Sequence, residues 1–113
     1  MKPEVTVLRS NWFHVLAALA GDDLHGSAIA QDVLDQTGGD VRLWPATLYR
    51  TLDEMVADGL IEELKGRRHP TGESQRKRYY RATPRGRREL SAAADRLSAY
   101  AGIARNRLMD AGA

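Results

Sequence analysis

Trp44-Pro45-Ala46-Thr47-Leu48-Tyr49-Arg50-Thr51-Leu52-Asp53-Glu54-Met55-Val56-Ala57-Asp58-Gly59-Leu60-Ile61 is the stretch that settles how this chain folds. Leu48, Leu52, Met55 and Val56 recur at helical spacing, so the segment reads as a short amphipathic helix with those side chains inward. Thr47, Arg50, Thr51 and Glu54 then face outward. Trp44 precedes a proline and is therefore extended, while Pro45 suits the first helical turn. Gly59 ends the helix, and Leu60 and Ile61 open a strand that runs to Lys65. Gly66–Gln75 holds two glycines, Pro70, Thr71 and Ser74 and reads as a loop. Arg78–Ala82 returns as a second strand, its tyrosines suited to a pleated surface. Helix, glycine stop, strand, charged loop and returning strand form the order of a winged helix-turn-helix. The expected class is mainly α (α+β).

Upstream, Val5, Leu8, Trp12, Val15, Leu16 and Leu19 recur at steps of three and four. They predict a first helix over about 5–20, capped by Gly21. Asp22–Leu24 reads as a turn. A second helix starts near His25 and runs to about Gln36, with Ala28, Ile29, Val33 and Leu34 inward and Gly38-Gly39 closing it. Val41-Arg42-Leu43 is short and extended. Downstream, Thr83 is a good N-cap and Pro84 sits at the first position of a last helix of roughly 25 residues. Leu90, Ala94, Leu97, Ala101, Ala104 and Leu108 form a narrow heptad-like stripe along it. The tail 110–113 is expected to fray. The organisation predicted is a winged helix-turn-helix over 1–83 and a C-terminal dimerisation helix over 84–113.

At 113 residues with 42% hydrophobic content, one domain with a real core is the default. The apolar run Val15–Ala20 is too short for a signal-peptide core and reads as a buried helix face. No run approaches a membrane span. Cysteine is absent, which fits a reducing cytoplasm and excludes disulfides and thiolate metal sites. Arginine outnumbers lysine 14 to 3, as in a GC-rich bacterial genome.

Charge is distributed unevenly. Residues 1–64 carry 4 Lys/Arg against 11 Asp/Glu, a net of −7, while residues 65–88 carry 10 against one, a net of +9. Such asymmetry fits a polyanion-binding face; a solvated arginine-rich loop is the blander alternative. Catalysis has little to stand on. His14, His25 and His69 form no i,i+3 or i,i+4 pair that would bind metal. Gly38-Gly39 lacks the lysine or serine of a phosphate loop, and no serine has a nucleophile setting. No cofactor, no metal and no enzymatic activity are expected.

Four segments resemble the PadR family of bacterial transcriptional regulators. Leu24-His25-Gly26-Ser27-Ala28-Ile29 is similar to the family's His-Gly-Tyr segment opening helix 2. Pro45-Ala46-Thr47-Leu48-Tyr49-Arg50 is similar to its Gly-Thr-Leu-Tyr segment opening the recognition helix. Asp58-Gly59-Leu60-Ile61 resembles its helix-to-wing junction. Arg78-Tyr79-Tyr80-Arg81-Ala82-Thr83-Pro84-Arg85-Gly86 resembles its Arg-Tyr-Tyr-x-Leu-Thr-x-x-Gly run. The likeness covers about residues 7–98. It implies a dimeric winged-helix DNA-binding protein, usually a repressor, of the shorter subfamily, in which the last helix and helix 1 build the interface. Some relatives bind flat hydrophobic compounds between subunits, so a small hydrophobic effector of unknown identity is implied as well. Ser27 replaces the usual tyrosine, Trp44 a common serine cap and Ala46 a common glycine. The last helix has no tryptophan to support an aromatic sandwich.

Within that fold the partner expected is double-stranded DNA, gripped through phosphates for affinity and base edges for sequence. Arg67, Arg68, Arg76, Lys77 and Arg78 would track the backbone from the wing. Arg50 matches the two acceptors of guanine, and Thr47 a thymine methyl or a phosphate. Tyr49 has two readings, a phosphate donor through its hydroxyl or a packing residue between helix 3 and helix 1. Glu54 reads as solvated or as the i,i+4 partner of Arg50. A homodimer on an inverted repeat would space two recognition helices roughly 34 Å apart. Its interface would be Leu90, Leu97, Ala101, Ala104 and Leu108 with Trp12 and Phe13; the alternative is that Trp12 and Phe13 fill the monomer core. A second function class is a winged-helix module that binds a protein partner through the acidic half and never touches DNA.

Overall fold

A computed structural model describes residues 8–64 and 78–112 of the chain. The elements are α1 (Ser10–Gly21), β1 (Leu24–His25), α2 (Gly26–Gln36), α3 (Pro45–Ala57), β2 (Ile61–Leu64), β3 (Tyr79–Ala82) and α4 (Pro84–Gly112). The three strands form an antiparallel sheet in the order β1-β3-β2. Leu24 pairs with Tyr80 on one side, and Ile61 with Ala82 on the other. This is a mainly helical winged helix-turn-helix, as the helix–glycine–strand order predicts.

α1 presents Trp12, Val15, Leu16 and Leu19 at i, i+3, i+4 and i+7, and all four are buried. Two expectations need correction. The helix begins at Ser10 with Arg9 as N-cap, so Leu8 packs on the core from outside the helix. Gly21 is the last helical residue rather than a left-handed cap. Asp22 takes extended backbone at φ −167°, because the chain must pass straight into β1. β1 takes the last residue of the expected turn and the expected first residue of the second helix, which begins at Gly26; two residues are too few to show alternation.

α2 and α3 end identically. Gly38 and Gly39, at φ 61° and 93°, donate to the Asp35 and Leu34 carbonyls at 3.3 and 2.9 Å. Gly59, at φ 78°, and Leu60 donate to Val56 and Met55, both at 3.0 Å. Both closures are Schellman motifs, which require a residue tolerant of positive φ.

The core joins α1, α2, α3 and the sheet, with Leu16, Leu19, Ile29, Leu52, Met55, Ile61 and Tyr80 fully enclosed. Among the described residues α4 meets α1 and β3 through its N-terminal half. Gly86 and Ala93 are buried and Leu90 lies against the core. Beyond that the helix projects, which explains a radius of gyration of 16.6 Å where a compact chain of this length gives about 13 Å.

Candidate nucleic-acid interface

α3 sits on the surface with one face open. Ala46, Arg50, Asp53 and Ala57, at i, i+4, i+7 and i+11, are all exposed. This face is rotated from the one expected. Thr51 is only 5% exposed and belongs to the inner face, whereas Val56 is 37% exposed. Burial is decided by angular position, and Thr51 lies on the side of Leu48 and Met55 although it is polar. Thr47 is half-buried at the edge, where α3 and the start of α1 enclose a polar groove of about 360 Å³ shared with Arg9 and Arg50.

Tyr49 is half-buried and packs against the core. A Cβ on Gly26 would stand 2.8 Å from its Cζ, so the ring occupies the space that glycine leaves at the head of α2. His25 caps α2 there, its Nδ1 accepting the Ala28 N–H at 3.3 Å. The geometry therefore gives Tyr49 a packing role between α3 and the head of α2, whereas the partner expected was helix 1. On the opposite flank Trp44 is 64% exposed, with the Arg42 guanidinium 5.3 Å from its ring. Trp44, which replaces a common serine cap, makes no cap hydrogen bond.

The basic run 76–88 divides by role. Arg67, Arg68, Arg76 and Lys77 lie outside the described residues. Arg78, although exposed, bonds within the chain, to Glu63 on β2 at 3.1 and 3.2 Å and to Asp53 on α3 at 3.2 Å. These carboxylates hold its charge more firmly than usual, pushing its pKa up against the opposing effect of burial. Arg81 forks onto Asp23 at 2.8 and 3.1 Å, and the hydrogen bonds and charge of Asp23 raise its pKa in turn. Arg85 donates to the Asp58 carbonyl, and Arg87 to that of Ala20 at 3.3 Å. Arg50 is exposed, and Glu54 pairs with Arg9 at 3.5 Å rather than with Arg50.

The interface residues expected on the other side of the molecule separate too. Trp12 is 9% exposed and sits in the monomer core. Phe13 is half-buried beside α4, in an apolar groove of about 310 Å³ bounded by Leu8, Ala93, Leu97 and Tyr100. Leu90 and Ala101 are half-buried, and Leu97, Ala104 and Leu108 are exposed. Tyr100, Ile103 and Met109 extend the exposed apolar surface beyond the heptad stripe. Among the described residues no group of His, Cys, Asp and Glu could hold a metal ion, and no helix is long and apolar enough to cross a membrane.

The model of the transcriptional regulator PadR-like family matches residues 15–92. The chain belongs to that family. The match runs from the middle of α1 to the first third of α4. A relative described as transcriptional regulator Rv3488, from Mycobacterium tuberculosis, is 38% identical over 78 residues, covering 69% of this chain and 66% of its own length. A PadR family regulator from Clostridium difficile is 20% identical, with a TM-score of 0.73 over 88% of this chain and 99% of that one. Bacillus subtilis PadR, solved in complex with operator DNA, is 23% identical, with a TM-score of 0.61 over 74% of this chain and 46% of that one. Family and relatives are regulators of transcription, not enzymes. Gly26, Gly59 and Gly86, all within segments that carry the resemblance, have local physical reasons: contact with Tyr49, a positive φ, and contact with Leu60.

Proposed function

We propose that this PadR-like regulator binds double-stranded DNA as a homodimer at an inverted-repeat operator and represses transcription by occluding polymerase. The observation that carries the reading is the open face of α3. It is a rigid helix, fixed by a Schellman closure and a buried inner face, that offers one arginine, Arg50, flanked by small Ala46 and Ala57. The relative solved on operator DNA supports the same use of the fold. Dimerisation would come from the projecting half of α4, whose apolar side chains are left exposed among the described residues, seated against α1 beside Phe13. The groove there would also suit a small hydrophobic effector. Arg67, Arg68, Arg76 and Lys77 would neutralise flanking phosphates, and Thr47 would meet the backbone or a thymine methyl at the groove edge.

Arg50→Ala tests the reading. If Arg50 reads a guanine, the substitution costs about 1–3 kcal/mol at one base position and relaxes preference there. Binding titrations against duplexes varied one base pair at a time measure this. An equal loss on every sequence would make Arg50 a phosphate contact, and no loss on any would remove α3 from the interface.

A further inference from the structure

α3 has an unfavourable charge balance for a helix that approaches DNA. It carries one base, Arg50, against Asp53 and Glu54, and Asp58 caps its end. Asp53 is exposed on the same face as Arg50, three residues away, which is ion-pairing distance along a helix. Left alone, it would repel phosphate and compete for the Arg50 guanidinium.

Arg78 meets that problem. It lies immediately before β3, at the root of the wing. Its Nη2 donates to Asp53 Oδ1 and to Glu63 Oε1, and its Nε donates to Glu63 Oε2. The guanidinium also lies 5.7 Å from the Tyr49 ring centre and 5.6 Å from that of Tyr80. α3, β2 and β3 therefore converge on one planar cation. A lysine could not reproduce both the fork and the stacking. Arg9 stands in the same relation to Glu54, from the start of α1.

We infer that Arg78 is an internal counter-ion of the recognition helix, not a phosphate contact. It offsets one of the two negative charges of Asp53 and Glu63, ties the wing root to α3 by engaging Asp53, and leaves Arg50 available for a base edge. Arg78 is a positioning residue, and this inference rests on the DNA-binding reading above. It replaces the expectation that Arg78 tracks the DNA backbone from the wing.

The test is a double-mutant cycle read as affinity for a duplex of about 30 base pairs, three helical turns, at low and high salt. The proteins are the wild type, R78A, D53N/E63Q and the combined variant. R78A is expected to weaken binding roughly five- to tenfold at low salt, the order for an uncompensated carboxylate within a few ångström of phosphate. D53N/E63Q should restore most of that loss in the R78A background. In the wild-type background, where Arg78 already offsets part of that charge, D53N/E63Q should strengthen binding several-fold less than it does in the R78A background, so the effects are non-additive. The R78A deficit should shrink as salt rises, because it is electrostatic.

Equal effects of D53N/E63Q in both backgrounds would make Arg78 an independent DNA contact and overturn the inference. A deficit insensitive to salt would reduce Arg78 to a purely structural brace, and no deficit at all would leave it without either role. Thermal melts check that each variant is folded at the assay temperature, and R78Q, which keeps the bulk and loses the charge, replaces R78A if the latter is not. Failure of the DNA-binding reading itself shows separately, as a wild type that binds no duplex.

Discussion

Leu97→Glu is expected to convert the protein to monomers and to weaken binding to a paired half-site by about 10²–10⁴-fold, the factor lost when a second binding event is no longer linked to the first. Leu97 is 51% exposed in the single chain, so the substitution should leave the monomer fold intact. Its neighbours Tyr100 and Ile103 are similarly exposed, and the three continue the line begun by Gly86, Leu90 and Ala93. That line is buried against the body up to Ala93 and then runs out into solvent. A surface of this kind is stable once a second helix covers it. Placing a carboxylate there opposes the burial with the cost of removing a charge from water. Light scattering reports the mass and mobility shift reports the affinity. A mass still that of a dimer would take this part of α4 out of the interface.

Gly86→Ala is expected to destabilise the fold by about 3 kcal/mol, at the upper end for inserting one carbon into a packed site. The added Cβ would overlap the Leu60 carbonyl oxygen and stand 3.1 Å from Leu16 Cδ2. The carbonyl cannot retreat freely. Its oxygen accepts the Thr83 N–H at 3.0 Å, while Thr83 Oγ1 donates to the Gly59 carbonyl at 2.7 Å and accepts the Gly86 N–H at 3.0 Å. Four residues thus lock the end of α3 to the start of α4. Thermal denaturation should show a midpoint lowered by roughly 10–20 °C for a domain of this size. A change of a degree or two would mean that α4 slides over Leu60 without cost.

The parts of this architecture that were legible in the sequence are those set by local chemistry. Gly38-Gly39 and Gly59 mark helix ends because positive φ is needed there, and Thr83-Pro84 marks a start because the hydroxyl and the ring each suit one position. The four ordered segments then identify the family. What was hidden depends on partners distant in the chain. Asp53 on α3 and Glu63 on β2 meet Arg78 just before β3, and nothing in the run Arg76-Lys77-Arg78 distinguishes an arginine free to face DNA from one paired with carboxylates of its own chain. Arg81 is bound to Asp23, 58 residues earlier. A cluster of arginines overstates the charge available to a ligand when acidic residues elsewhere claim part of it. Thr51 is buried and Val56 exposed because angular position on the 13-residue helix, not residue type, decides which face a side chain joins. Trp12 and Phe13 adjoin in sequence yet point to the core and to the α4 groove, as helical geometry requires.

The most direct measurement is a mobility-shift titration on the DNA upstream of the protein's own gene, with a scrambled fragment of equal length as competitor, at two salt concentrations. The account predicts that binding to the native fragment survives at the higher salt while the scrambled fragment is lost, because base contacts from α3 persist when phosphate contacts are screened. Equal loss on both fragments would contradict sequence-specific recognition at that site and leave only the basic wing at work.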